Sequence, residues 1–415
     1  MKPRLSRRCF LSALGGSLLA PVLVPVWAQF PGGRRREAQA FPADALTKLS
    51  LWDDADFLAA WRPPEAKVRI ACRAWPGAGN VLGVQAQGAL AFFESGHLRS
   101  ISLLFLDAGA WFGFVPDAQA KAVAAAKGPE FLRLFDQVSQ DVTRAVAGLG
   151  GKGRDVPLGG RTLLKHTAKV THHGDLWSRL VVWPGQFVKL TLFRDEDGAA
   201  QLLAPSRRTP KREEQAKAFA ALVRTAENGD HTIDDIPLLP QGDRAYCGMS
   251  ALAMVMQHLG VRLEAEELAA AASIRFGSTQ NAKPRETCDA AAEVGALHFD
   301  RNEHFDLNRA RMAIDAGMPV LVFRHWGQDR DFIHSAFARR FAEDPTATLP
   351  RADMNDRKLW PQRGGYAHAS IVNGYNQARG EVIFTESWDE RVRNRRMRTE
   401  EMEGTSYLAC YPKLG

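Results

Sequence analysis

The stretch LPQGDRAYCGMSALAMVMQHLG, Leu239 to Gly260, leaves this chain few local options. Pro240 and Gly242 impose irregular backbone. From Cys247 the apolar residues recur at helical spacing through Leu252, Val255, Met256 and Leu259, up to Gly260, a helix-stopping residue. Cys247 therefore sits at or just before a helix N-terminus. Unpaired N–H groups and the helix dipole stabilise an anion there, and the anionic thiolate is the reactive form of cysteine. Gly248 leaves room for a substrate to approach. The side-chain amide of Gln241, six residues upstream, can turn its NH2 toward a developing oxyanion beside the backbone N–H of Cys247. The plainer reading of such a position is a buried structural cysteine, so a partner base has to decide.

Nucleophilic cysteine chemistry needs an imidazole within hydrogen-bond reach and a third group to orient it. His258 lies on the same helix, three turns on, and cannot fold back. His298 and His304 fall near a helix end and a loop, and His325 and His334 flank the polar stretch WGQDRDFI. His368 opens a different pattern. HASIVNGYNQARGEVIFTESWDE reads as a hairpin: a strand HASIVNGY, a turn NQAR followed by Gly380, and a strand EVIFTES. A hairpin centred on Gln377 sets Val372 opposite Val382, Ser370 opposite Phe384 and His368 opposite Glu386, with opposed Cβ atoms ~5 Å apart. Glu386 would then take one imidazole nitrogen and leave the other for Cys247; Asp389 is the alternative acid, and Asn373 faces away in this register. A slip of one residue would break the pairing.

These segments resemble the active site of papain-like cysteine peptidases, most of all the bacteriocin-processing (double-glycine-leader) type. QGDRAYCGMSALAMVMQHLG resembles the segment in which an oxyanion-hole Gln precedes a Cys-Gly pair and a helix. ARMAIDAGMPVLVFRHW resembles the helix and strand before the catalytic His, HASIVNGYN the His strand, and ESWDE the Asn-Ser-Trp segment whose Trp shields the third triad member. The resemblance covers about Asp230 to Glu390. It implies Cys247 as nucleophile, His368 as general acid/base, Glu386 as orienter and Gln241 in the oxyanion hole. Glu386 replaces the usual Asn or Asp. The insertion from Trp326 to Tyr366 is long for the leader-cleaving type, and it offers a cleft wall on which Arg330, His325 and His334 would meet substrate. Trp388 would cover the His–Glu pair. No transporter segments follow.

The remainder of the chain frames this domain. SRRCFL, then the apolar run SALGGSLLAPVLVPVWA, has the layout of a twin-arginine export signal. Its small residues Val26 and Ala28 place cleavage after Ala28. Removing residues 1–28, with four cations and no acid, takes the formal charge from +7 to +3, too mild to suggest nucleic acid. A periplasmic or extracellular location permits disulfides, but a protein exported already folded cannot depend on them. Cys9, Cys72, Cys247, Cys288 and Cys410 lack the spacing of a zinc site.

The expected fold class is α+β. Residues 29–45, rich in Pro, Gly and Arg, are expected to be a disordered linker. Residues 46–205 read as an α+β domain of unknown role, with an antiparallel sheet from VRIACRAW, VLGVQAQGALAFFESGHLRSISLLFLDAG and WSRLVVWPGQFVKLTLFRDEDG, turns at ESGH and WPGQ, and a helical region broken near Gly128-Pro129. His172 and His173 fall in an expected turn beside Gly174-Asp175. Residues 206–229 form a linker helix whose basic run, Arg207, Arg208, Lys211 and Arg212, reads as solvated surface. Residues 230–415 form the papain-like domain, with a helical half carrying Cys247 and then an antiparallel sheet; Arg391, Arg393, Arg395, Arg396 and Arg398 read as a solvated terminal segment. The expected activity is an exported peptidase acting on peptide or protein, without cofactor or metal. The alternatives are a transglutaminase-like acyltransferase or cell-wall peptide amidase on the same residues, and a catalytically silent binding protein.

Overall fold

The computed structural model describes residues 40–75, 79–274, 283–350, 352–363, 366–388 and 390–415. The expected export signal, residues 29–39 of the expected linker and Asp389 lie outside the described residues.

The N-terminal part is built on an all-antiparallel seven-stranded sheet. Its strands in chain order are β1 (Ile70–Ala74), β2 (Gly88–Glu94), β3 (His97–Asp107), β4 (Arg154–Leu158), β5 (His166–His173), β6 (Leu176–Trp183) and β7 (Phe187–Phe193), and the spatial order is β1-β2-β3-β7-β6-β5-β4. The run GALAFF in β2 is apolar without alternation because both faces are covered. Ala89, Ala91 and Phe93 join one core, which holds an aromatic cluster of Phe41, Phe57, Trp61 and Trp75 together with the helix Asp117–Gly148. Leu90 and Phe92 point the other way, into a core shared with the C-terminal helices. Period-two geometry turns one apolar run into two interfaces.

Several expectations need correction here. Phe41 and Ala45 are buried, so the end of the expected linker is packed structure anchored by its aromatic ring. The helix Asp117–Gly148 runs through Pro129 without a break. Gly128 is buried against the sheet while Pro129 is exposed, so packing on either side outweighs one lost hydrogen bond. His172 and His173 end β5, and only Gly174-Asp175 turn; the buried His173 ring meets the Gly150 carbonyl at 2.6 Å and the Ser178 hydroxyl at 2.8 Å.

The C-terminal part holds an eight-stranded sheet with helices packed against it. Its strands are β8 (Val223–Thr225), β9 (His231–Ile233), β10 (Leu297–Asn302), β11 (Val320–Trp326), β12 (Tyr366–Asn376), β13 (Glu381–Thr385), β14 (Arg395–Arg398) and β15 (Ser406–Leu414). The order is β8-β9-β12-β11-β15-β10, with β13 against β12 and β14 against β13, every pairing antiparallel. Because β8 is already part of this sheet, the expected linker 206–229 is a linker only up to its helix Arg212–Ala220. A helical half containing Cys247–His258 precedes most of the sheet, as expected for an α+β, papain-like domain.

The two parts are joined through buried faces and buried charges. On the inner face of the N-terminal sheet, Lys189 pairs with Glu267 at 2.6 Å and Glu264 at 3.3 Å, and the Ser102 hydroxyl donates to Glu264 at 2.6 Å. Arg207, expected in solvent, is buried. Its guanidinium donates to the carbonyls of Leu259 (2.5 Å) and Gly295 (2.8 Å), which close two helices, Cys247–His258 and Pro284–Gly295. The last carbonyls of a helix have no intrahelical donor, so a cation reaching two such ends satisfies both.

Arg207→Ala leaves those carbonyls without their donor, at ~1–3 kcal/mol each, and should lower the unfolding free energy by about 2–4 kcal/mol in urea titrations. Arg208→Ala, a change at the surface, should stay within ~0.5 kcal/mol of the parent.

Candidate active site

Cys247 is the first residue of the helix Cys247–His258, preceded by Tyr246 in the N-cap position. The apolar residues after it are buried all round, which fixes the helix between the two sheets and holds its N-terminus in place. Gly248 serves that packing: a Cβ there would lie 2.8 Å from the Phe323 ring on β11, so the residue is small to let the helix approach the sheet rather than to admit substrate. Cys247 is partly exposed.

His368, the third residue of β12, stands beside the Cys247 thiol, and each group shifts the other's protonation. Its Nε2 lies 2.7 Å from Glu386 Oε2, which leaves Nδ1 for the sulfur. The hairpin register that brings in Glu386 differs from the expected one. Asn376 pairs with Glu381 and Tyr375 with Val382; beyond an irregularity at Asn373, Val372 pairs with Phe384 and Ile371 with Thr385. The register is thus shifted by two residues from the expected Val372–Val382 pair. Side chains alternate with period two, so an even shift leaves Glu386 on the face of His368. β13 ends at Thr385, and the carboxylate reaches the imidazole diagonally from just past the strand end.

Glu386 is fully buried. Oε1 accepts from Arg324 Nη2 at 2.7 Å and from the Ser370 hydroxyl at 3.0 Å, and Arg395 stands 3.9 Å away. Burial alone would raise its pKa, but His368, Arg324 and Arg395 outweigh burial and hold the carboxyl well below the usual carboxylate range. Burial likewise opposes charge on His368, and is overcome by Glu386 and by the thiol, so the imidazole is pushed up to about 9. The thiol is pushed up by burial but lowered more by the His368 hydrogen bond and charge and by the amides of Ala369 and Gly248, for a net shift downward. The arrangement favours a thiolate–imidazolium pair. Trp388 lies over His368, ring centroids 4.9 Å apart, and Trp326 meets Trp388 edge-on at 6.2 Å.

Gln241 is tied to the same corner. Its amide N–H donates to the Ser387 carbonyl at 2.8 Å, and its Oε1 accepts the Ser387 hydroxyl at 3.0 Å. With the oxygen engaged, the NH2 end turns away from Ser387, with a 3.3 Å contact to the Arg244 carbonyl. Cys247, His368, Glu386 and Gln241 are therefore gathered in one place.

Other candidates lie elsewhere. Arg330 and His334 are buried around Glu401, with Arg330 also on Asp356, so they brace the insertion instead of facing a cleft. His325, by contrast, stays at the edge of the site: it packs against Tyr407, ring centroids 5.2 Å apart, and Tyr407 lies near the Cys247 thiol. Arg395 and Arg396, expected in solvent, lie in β14 and are buried. Arg395 donates to Asp331 at 2.8 Å, and Arg396 binds Asp230 and Glu381. His258 is held by Arg69 at 2.9 Å and the Gly317 carbonyl at 3.0 Å.

Four supporting residues escape a reading of local pattern: Arg324, Ser370, Ser387 and Arg395. Arg324 left a trace, a single charge inside the apolar strand VLVFRHW. Ser370 shares a strand face with His368 at a spacing of two.

Alkylation of Cys247 by iodoacetamide should reach half its maximal rate below the ~8.5 of an ordinary cysteine. Glu386→Gln should move that midpoint upward. The same change leaves Arg324 and Arg395 buried without their shared carboxylate, and should cost about 3–5 kcal/mol of stability.

Residues 233–415 match the model of the Peptidase_C39 like family. Similar solved structures include the peptidase domain of Streptococcus ComA, a bi-functional ABC transporter involved in a quorum-sensing pathway, at 18% identity over 43% of this chain and 98% of that one, TM-score 0.28. A second is a C39-like peptidase from Bacillus anthracis, at 14% identity over 43% of this chain and 96% of that one, TM-score 0.29. No curated protein matches the chain.

Proposed function

We propose that the chain is an exported cysteine peptidase, in keeping with the match of residues 233–415 to the model of the Peptidase_C39 like family. The supporting observation is the meeting of three side chains: Cys247 at the start of a buried helix, His368 beside its thiol, and Glu386, whose Oε2 lies 2.7 Å from His368 Nε2. The Cys247 thiolate attacks the carbonyl carbon of a peptide bond, forming a C–S bond and an oxyanion. The Cys247 amide, at the helix N-terminus, and the Gln241 NH2 stabilise that charge. The C–N bond then breaks as His368 Nδ1 gives its proton to the leaving amine. A water molecule, deprotonated by His368, attacks the thioester; the acid product leaves and the thiolate–imidazolium pair is restored. Glu386 keeps the imidazole oriented throughout and stabilises it whenever it carries the proton, and Trp388 shields their hydrogen bond from water.

Turnover requires the imidazolium, so activity should fall as pH rises through about 9, where His368 loses its proton. Activity on a peptide library should vanish in Cys247→Ser and fall ~10²–10³-fold in kcat in Gln241→Ala. Unchanged turnover in Cys247→Ser would sink the peptidase reading. Products conjugated to an added amine in preference to water would replace hydrolysis with acyl transfer.

Export follows from Arg7 and Arg8 ahead of the apolar run that ends at Ala28. Replacing both by lysine should leave uncleaved protein in the cytoplasmic fraction, whereas the unaltered chain should appear outside it, starting at Gln29.

A further inference from the structure

The end of β3 and the short helix Ala108–Phe112 belong to the N-terminal part, yet they touch both arms of the candidate site. Tyr246, immediately before the nucleophile, is 1% exposed. Its hydroxyl donates to Asp107 Oδ1 at 3.1 Å and accepts from the Gly109 amide at 3.2 Å. The Tyr246 ring fills the space that a side chain at 109 would need, since a Cβ there would sit 2.4 Å from the ring Cζ.

Arg244 extends this anchorage along the loop. Its guanidinium stacks over the Tyr246 ring at 5.0 Å, donates to the carbonyls of Gln241 (2.7 Å) and Pro240 (3.2 Å), pairs with Glu266 at 2.5 Å and lies 3.8 Å from Asp107. The backbone that presents Gln241 and Cys247 is thereby tied to the N-terminal sheet. On the other arm, Phe114 meets Tyr366 edge to face, centroids 6.3 Å apart, and Tyr366 is two residues before His368 on β12. Both rings are otherwise well exposed.

We propose that residues 107–114 act as a clamp from the N-terminal domain that sets Cys247 against His368, with Tyr246 as a positioning residue and Gly109 as its seat. The clamp rests on the peptidase reading and assigns the N-terminal domain a place inside the catalytic unit. Tyr246 acts through the next residue in the chain; its hydroxyl faces Asp107, with Arg244 and Glu266 beside it, while the thiol faces His368 and Tyr407, with Glu386 behind the imidazole.

The test uses the full chain, with iodoacetamide labelling of Cys247 followed by mass spectrometry across pH 5–9, alongside kcat and KM on a cleaved peptide. Gly109→Ala should raise the labelling midpoint by about one pH unit and lower kcat at least about tenfold, with KM within about twofold. Tyr246→Phe, which keeps the ring and loses the hydroxyl, should move both readouts in the same direction by less. Should Gly109→Ala fail to fold, Tyr246→Phe decides. Leu132→Ala, at an exposed site on the helix Asp117–Gly148, should change neither. Variants that melt earlier but keep the labelling profile and kcat would overturn the clamp and leave Tyr246 a structural residue. An ordinary thiol profile and no turnover in the unaltered chain would overturn the peptidase reading itself, and the clamp with it.

Discussion

A single buried carboxylate organises the C-terminal half of this molecule. Glu386 has no solvent contact, and its charge is compatible with that burial only because His368, Ser370 and Arg324 donate to it and Arg395 stands near. An uncompensated carboxylate in such a place would take up a proton. The strands that supply these partners, β11, β12 and β14, are therefore held to one arrangement by the need to satisfy one group. The charged form of the imidazole is favoured for the same reason, and the thiol is lowered in turn. The site's electrostatics follow from the packing of a charge.

The second organising feature is the doubly covered N-terminal sheet. Its outer face holds the aromatic cluster and the long helix, while its inner face lies against the helix that begins with Cys247. Buried ion pairs cross this junction, with Lys189 surrounded by Glu264 and Glu267. Such groups contribute little net stability over apolar packing, yet losing either partner is costly. They fix the relative placement of the two parts.

Much of the local architecture was legible in the sequence. The helix start at Cys247, the hairpin carrying His368 and the antiparallel N-terminal strands each rest on short-range periodicity, and each is present. The hairpin register differs from the expected one by two residues at Val372: the turn at NQAR and Gly380 is visible in residue type, but its exact closure on Asn376–Glu381 and the irregularity at Asn373 are not. Even parity still brought Glu386 to the imidazole. What stayed hidden is long-range. Nothing near Arg207, Arg395 or Arg396 says that a helix end or an acid from a distant segment will arrive to desolvate it, so basic runs read as surface. The continuous apolar run GALAFF fits a strand buried on two sides, but nothing in it says that the second side would face the C-terminal half.

The adjacent residues Glu386 and Ser387 divide two tasks between them. One carboxylate holds the imidazole, and the next residue grips Gln241 by both its hydroxyl and its carbonyl. One peptide unit thus joins the carboxylate that holds His368 to the residue that holds Gln241. A backbone shift at this point would move His368 and Gln241 together; in the proposed mechanism it would disturb proton transfer and anion stabilisation at once, so selection acting here would have to tune them as a single trait.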